Sequence, residues 1–263
     1  MPRSFLLCLA LLLTGMLIAC APPKKPATAF STAIEYRNRG EMTEYRRALE
    51  REMKVNPGNL DARYDLALDL EQNGHEEDAR KLYEQNLQKR WHFASAINLA
   101  RLLQRQGKRD QAEEVLRQTI KHDPHEATPW YLLADLSVEH KQPDKAGEQY
   151  RQAIAADPKN AFAHLHFAMF LADRKADDDA VSQARQGVKL QPRCAACWKI
   201  FGDILQRAGH NRDAVTAYQR SLALQPDSDT RLQLIQALES IDETVRAQHM
   251  RDALNALRPQ AEP

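Results

Sequence analysis

Four prolines, Pro124, Pro158, Pro192 and Pro226, stand 34 residues apart, and a period of that length restricts a chain to architectures in which one supersecondary unit stacks on the next. Other columns keep the same frame. Small residues recur at Ala33, Ala67, Ala100, Ala134, Ala168 and Gly202, and a second run falls at Ala79, Ala112, Ala146, Ala180 and Ala214. Both columns step by 34 residues with a single step of 33, at the same unit. Large residues hold a third column at Trp130, His164 and Trp198, and a fourth at Tyr83, Leu116, Tyr150 and Tyr218 that is broken by Ala184.

Within a unit the apolar spacing is helical, as in Leu99, Leu102 and Leu103, then Ala112, Val115, Leu116 and Ile120 beyond Gly107. Each unit therefore reads as two helices. Gly40, Gly74, Gly107 and Gly209 stand where a first helix must end, and Asp110, Asp144 and Asp178 open second helices beside the positive end of the dipole. The small columns let two antiparallel axes approach closely, and the Trp, Tyr and Leu columns fill the seam to the next unit. Composition agrees: only 6% of the 263 residues are aromatic, and Ala, Leu, Gln and charged residues dominate, which excludes an all-β chain.

With its large residue, small residue, Ala, aromatic and Pro in that order, the unit resembles the tetratricopeptide repeat. The resemblance implies an all-α, right-handed superhelical solenoid of about six helix pairs. These fall at about 26–59, 60–92, 93–126, 127–160, 161–194 and 195–228, with the solenoid running over 29–228. A C-terminal capping helical segment follows at 229–257, keeping Leu232, Ile235, Leu238, Ile241 and Val245, and then a tail at 258–263. Tyr45 in the Ala column of the first unit and Trp91 in the Pro column of the second depart from the pattern.

Ahead of the repeats, Met1-Pro2-Arg3-Ser4 and the apolar run Phe5 to Ile18 form a secretory signal at 1–19. Phe5 to Ala21 only just reaches the lower limit of ~17 residues for spanning hydrocarbon, and Pro22-Pro23 stops the helix at once, which argues against a transmembrane anchor. Leu17-Ile18-Ala19-Cys20 resembles the bacterial lipoprotein box. It implies cleavage before Cys20, acylation of that residue with a palmitate-type chain, and, with Ala21 rather than Asp next, sorting to the outer membrane facing the periplasm. Residues 20–28 then read as an extended, lipidated tether. A formal charge of +1 over the whole chain gives no pull toward nucleic acid.

Nothing in the chain reads as an enzyme. No phosphate loop, nucleotide fingerprint or nucleophile elbow is present, and 9 Gly leave little material for one. His75-Glu76-Glu77-Asp78 begins like a zinc-protease helix, but Ala79 stands where the second His is needed. His122, His125, His164 and His166 read as solvated or packing side chains, and Asp177-Asp178-Asp179 as helix-end electrostatics rather than a calcium loop. No cofactor and no metal is expected. Cys194-Ala195-Ala196-Cys197 reads as a local structural disulfide, with unpaired packing thiols and redox or metal chemistry as the alternatives. Absence of a preceding strand argues against a redox enzyme.

In the tetratricopeptide family the first helices line a concave groove. That frame assigns to the groove Tyr64, Leu68, Ile97, Arg101, Tyr131, Asp135, Phe162, Leu165, Met169, Lys199 and Asp203. An apolar stripe bordered by charges there suits a partner's peptide or helix, unless the chain's own terminal helix or a second copy, in a homodimer, covers it. The basic clamp of chaperone-binding members is not visible, since Tyr64, Leu68 and Asp203 occupy its places. The expected function is a non-catalytic scaffold that binds an envelope protein and assists assembly of a type IV or related pilus or a secretion system. The runner-up is an adaptor of peptidoglycan hydrolases, and a periplasmic thiol-disulfide protein using Cys194 and Cys197 is the reading of another class.

Overall fold

A computed structural model describes residues 28–256. The signal at 1–19, Cys20 and the tail at 258–263 lie outside the described residues, as does the tether up to residue 27. The described part comprises fourteen α-helices and no strand. The chain divides into two compact units, Met1–His75 and Glu76–Pro263.

The first unit holds α1 (Ala29–Asn38), α2 (Met42–Val55) and α3 (Leu60–Gln72). Ala33, Ala48 and Leu49 are buried at the α1–α2 seam, and Glu52, also buried, accepts hydrogen bonds from the Phe30 amide and from the side chains of Asn56 and Asn59. Tyr45 is accommodated in the Ala column by pairing its hydroxyl with Asp65. Burial, followed by that carboxylate, pushes its phenol up to about 12.

The second unit holds α4 (Glu76–Lys89), α5 (Phe93–Arg105), α6 (Arg109–His122), α7 (Ala127–Glu139), α8 (Pro143–Ala156), α9 (Ala161–Asp173), α10 (Asp177–Leu190), α11 (Ala195–Arg207), α12 (Asn211–Leu224), α13 (Ser228–Glu239) and α14 (Thr244–Ala256). The terminal segment is thus itself a helix pair. Its turn is built like the others: Glu243 N–H donates to Leu238 O, as Lys108 does to Leu103, Gln142 to Ser137, Ala176 to Leu171 and His210 to Leu205. This six-to-one bond needs a left-handed residue just before the donor. Gly107 and Gly209 supply it without strain, whereas Lys141, Lys175 and Asp242 adopt φ of 58°, 60° and 62°.

Every Ala of the two small columns that lies in this unit is buried, from Ala79 to Ala214. Tyr83, Leu116, Tyr150 and Tyr218 fill the space between paired helices and are likewise buried. The third column has a definite job. Trp198 Nε1 donates to Pro192 O at 3.0 Å, and His164 Nε2 lies 3.1 Å from Pro158 O while its Nδ1 meets the Gln183 amide at 2.8 Å. In the first unit Arg63 does the same to Pro57 O at 2.6 Å. A side chain one turn into the first helix thereby satisfies the carbonyl of the proline six residues earlier and holds the inter-unit turn. Trp91, in the Pro column, stacks instead on His122 with ring centroids 4.2 Å apart.

Burial, reinforced by Asp135 and by Asp203, raises the Tyr150 and Tyr218 phenols well above the usual range. Unfolded tyrosines ionise near pH 10. A group whose folded-state pKa is raised contributes stability in full below that point and loses it as pH rises further. We therefore expect alkaline unfolding to set in above about pH 10, with Tyr150→Phe/Tyr218→Phe flattening the pH dependence of stability there. Circular dichroism against tyrosinate absorbance checks this; an unchanged slope in the double variant would contradict it.

Candidate partner-binding face

In the second unit the first helices α5, α7, α9, α11 and α13 approach one another across successive pairs, while the second helices chiefly meet adjacent first helices. The first-helix side is therefore the narrower, inner side of this stack. Side chains cross it from helix to helix: Arg101 to the Tyr131 hydroxyl at 3.5 Å, Gln104 to Glu139 at 2.6 Å, His166 to Asp135 at 3.0 Å, and Arg207 to Asp173 at 2.8 Å.

Two of the carboxylates here are held from more than one side. Asp135 also accepts the Tyr150 hydroxyl at 2.5 Å, and Glu139 accepts Arg109 Nε at 2.5 Å. Burial works to raise the Glu139 carboxyl, but Arg109 and Gln104 outweigh it and hold the group below the usual range. Asp203 accepts the Tyr218 hydroxyl at 2.8 Å; burial dominates there and lifts its carboxyl above the usual range, with that hydrogen bond and then Lys199 opposing.

The sequence-predicted residues divide by burial. Phe162 and Met169 are 39% and 37% exposed, unusual for large apolar side chains, and Val138 and Leu232, on the first helices α7 and α13, are exposed as well. Arg101 is exposed, and Asp135, Lys199 and Asp203 are half-buried. Ile97 and Tyr131 are buried, the latter under a stack with His166 at 4.4 Å between ring centroids. Tyr64 and Leu68 lie half-buried on α3 of the first unit.

Leu165 differs from expectation: it is fully buried, in the core with Ala168, Ala184 and Val188, and does not line the face. The cause is on α10, where Gly187 leaves a space into which Leu165 packs; a Cβ at Gly187 would stand 2.7 Å from Leu165 Cγ. The exposed side chains of α9 are instead Phe162 and Met169, with His166 half-buried between them, at helical spacing i, i+4 and i+7. His166 packs as the sequence reading expects, stacking on Tyr131 and pairing with Asp135.

Cys194 and Cys197 are joined in a disulfide with Cα atoms 5.2 Å apart. The pair opens α11, Cys194 Sγ accepting the Cys197 N–H at 3.1 Å, where Asn160 and Asn59 serve as caps in other units. Among the described residues no group of three or more His, Cys, Asp or Glu is placed to hold a metal, and no helix is long and apolar enough to cross a membrane.

Residues 97–161 match a family model described as tetratricopeptide repeat, and residues 130–242 match one described as tetratricopeptide repeat-like domain. The span 97–242 is accordingly made of tetratricopeptide repeats, and the fold is the solenoid of that family. No curated protein matches the sequence. Among solved structures, the chain is similar to the APC/C hetero-tetramer Cut9-Hcn1 with a TM-score of 0.65 and 17% identity, over 82% of this chain and 44% of that one. The chain thus spans under half the length of that relative. It is similar to a tetratricopeptide repeat protein from Parabacteroides merdae with a TM-score of 0.62 and 15% identity, over 89% and 93% of the two chains. Against yeast Tom70 the TM-score is 0.65 and the identity 15%, over 92% and 56%. Identities this low speak to fold alone.

Proposed function

We propose that this tetratricopeptide-repeat chain is a non-catalytic scaffold, tethered through a lipid on Cys20 to the periplasmic face of the outer membrane, that binds another envelope protein and assists assembly of a pilus or secretion machine. The observation that carries the binding role is the exposure of Phe162 and Met169 on the inner face of the stack, where a partner's apolar side chains would desolvate them. The tether rests on Leu17-Ile18-Ala19-Cys20 at the end of an apolar leader. Choice of a pilus or secretion machine rests on analogy with lipid-anchored repeat proteins.

Affinity capture from envelope extract with the full-length protein tests the role. A pilus or secretion component on the bait supports the reading, and a peptidoglycan hydrolase would move the chain to the adaptor role. The anchor is tested separately. Cys20→Ser should leave an unprocessed protein or, if the leader is cut, a soluble periplasmic one, because a processed chain without Arg3 has a formal charge of zero and offers anionic lipid no net attraction. A processed Cys20→Ser protein that stays with membranes after a salt wash would contradict the anchor.

A further inference from the structure

We propose that the inner face takes an extended, acidic segment of its partner, with one carboxylate on Arg101 and apolar side chains, several residues away, on Phe162 and Met169. The inference rests on the reading of this face as protein-binding and adds the chemistry of the occupant.

Charge is the first ground. The inner-face carboxylates already have donors within the fold: Tyr150 and His166 on Asp135, Arg109 and Gln104 on Glu139, Arg207 on Asp173, Tyr218 on Asp203. Arg101 is different. Its polar contact is the Tyr131 hydroxyl at 3.5 Å, and among the described residues no carboxylate lies within ion-pair distance of it. A chain laid over this face would desolvate an arginine that lacks a counter-charge, which is costly unless the chain brings one. A carboxylate suits the planar guanidinium, which can donate two parallel bonds to it. A basic segment would meet Arg101 with like charge and find each of these carboxylates already engaged.

Continuity is the second ground. Arg101 touches Tyr131, Tyr131 stacks on His166, and Phe162 and Met169 lie one turn to either side of His166. A chain of contacts therefore runs across α5, α7 and α9, with Tyr131 buried beneath it and His166 half-buried between the exposed Phe162 and Met169. Packed helix axes lie about 8–10 Å apart, so the path from Arg101 to Phe162 and Met169 is roughly 16–20 Å long. An extended chain rises about 3.3 Å per residue and covers that length in about five or six residues. The recognised segment accordingly places its acidic residue about five or six positions from its apolar pair.

Fluorescence anisotropy of labelled synthetic peptides on the purified full chain tests this. One peptide carries Glu, a Gly/Ser spacer of about five residues and a Leu-Phe pair; the second replaces Glu with Lys; the third shortens the spacer to a single residue. The first should bind at least about tenfold tighter than either of the others. Arg101→Glu should reverse the preference between the first two, and Phe162→Ala should weaken the first by about tenfold, with circular dichroism unchanged. Equal binding of the Glu and Lys peptides, or a preference that Arg101→Glu leaves intact, overturns the proposal. If no peptide binds but the envelope partner is still captured through Phe162 and Met169, the acidic segment is refuted and the scaffold reading stands. Loss of that capture as well would refute both. Self-association of the chain that Phe162→Ala abolishes would give the face to a second copy and also overturn the proposal.

Discussion

Gly202→Ala should destabilise the chain by about 1–3 kcal/mol, against the ordinary trend in a helix interior, where Gly→Ala gains up to about 1 kcal/mol. The reason is the close approach of α11 and α12. A Cβ at Gly202 would stand 2.5 Å from Tyr218 Cε1. The ring has little room to retreat, since its hydroxyl is bonded to Asp203 at 2.8 Å and Gln206 at 2.9 Å. Gly147→Ala is the internal control: its Cβ would meet Phe170 Cε1 at 3.5 Å, an ordinary contact, so there the helix propensity should win and the chain gain up to about 1 kcal/mol. Chemical denaturation of the two variants compares the signs directly. Two stabilising results would mean that the seam between α11 and α12 is looser than described.

Phe162→Ala/Met169→Ala should weaken capture of the envelope partner by at least about tenfold, or about 1.4 kcal/mol, and leave helicity intact. Both side chains are more than a third exposed, so the free protein loses little packing when they are truncated. Leu165→Ala should behave in the opposite manner. It is fully buried, and its truncation should cost about 2–5 kcal/mol of stability before any effect on binding can be read. Surface plasmon resonance beside thermal melts separates the two. Normal capture by the double variant would remove the inner face from the binding role, and unfolding of the double variant would place the stripe in the core.

These contrasts mark where the sequence is informative. The small columns and the Tyr and Leu columns could be read because a close helix pair tolerates few residue types at its seam, and the same few recur at each unit. Periodicity finds the surface of a helix less well. Leu165 and His166 differ by one position, about 100° around the helix, and a groove frame chose the apolar one; Gly187, on the neighbouring helix, decides which turns inward. Lys141 and Lys175 were equally hidden. The fold holds them in a left-handed conformation that glycine would adopt more easily, so the turn signal seen at Gly107 is absent from those units. The terminal pair α13–α14 escaped for the same reason, with Asp242 at its turn. The disulfide is the reading the sequence favours for Cys194 and Cys197, because the two have only each other in the oxidising compartment that the leader implies, and the structure joins them.

The claim on which the account turns is that the inner face of the second unit, and not its outer surface, holds the partner. Photo-crosslinking in living cells measures this directly, with a photoreactive amino acid placed at Phe162 in one strain and in another at Arg117, an exposed position on the second helix α6. The account predicts a discrete adduct with another envelope protein from position 162 and none from position 117. The same adduct from position 117, with none from 162, would contradict it.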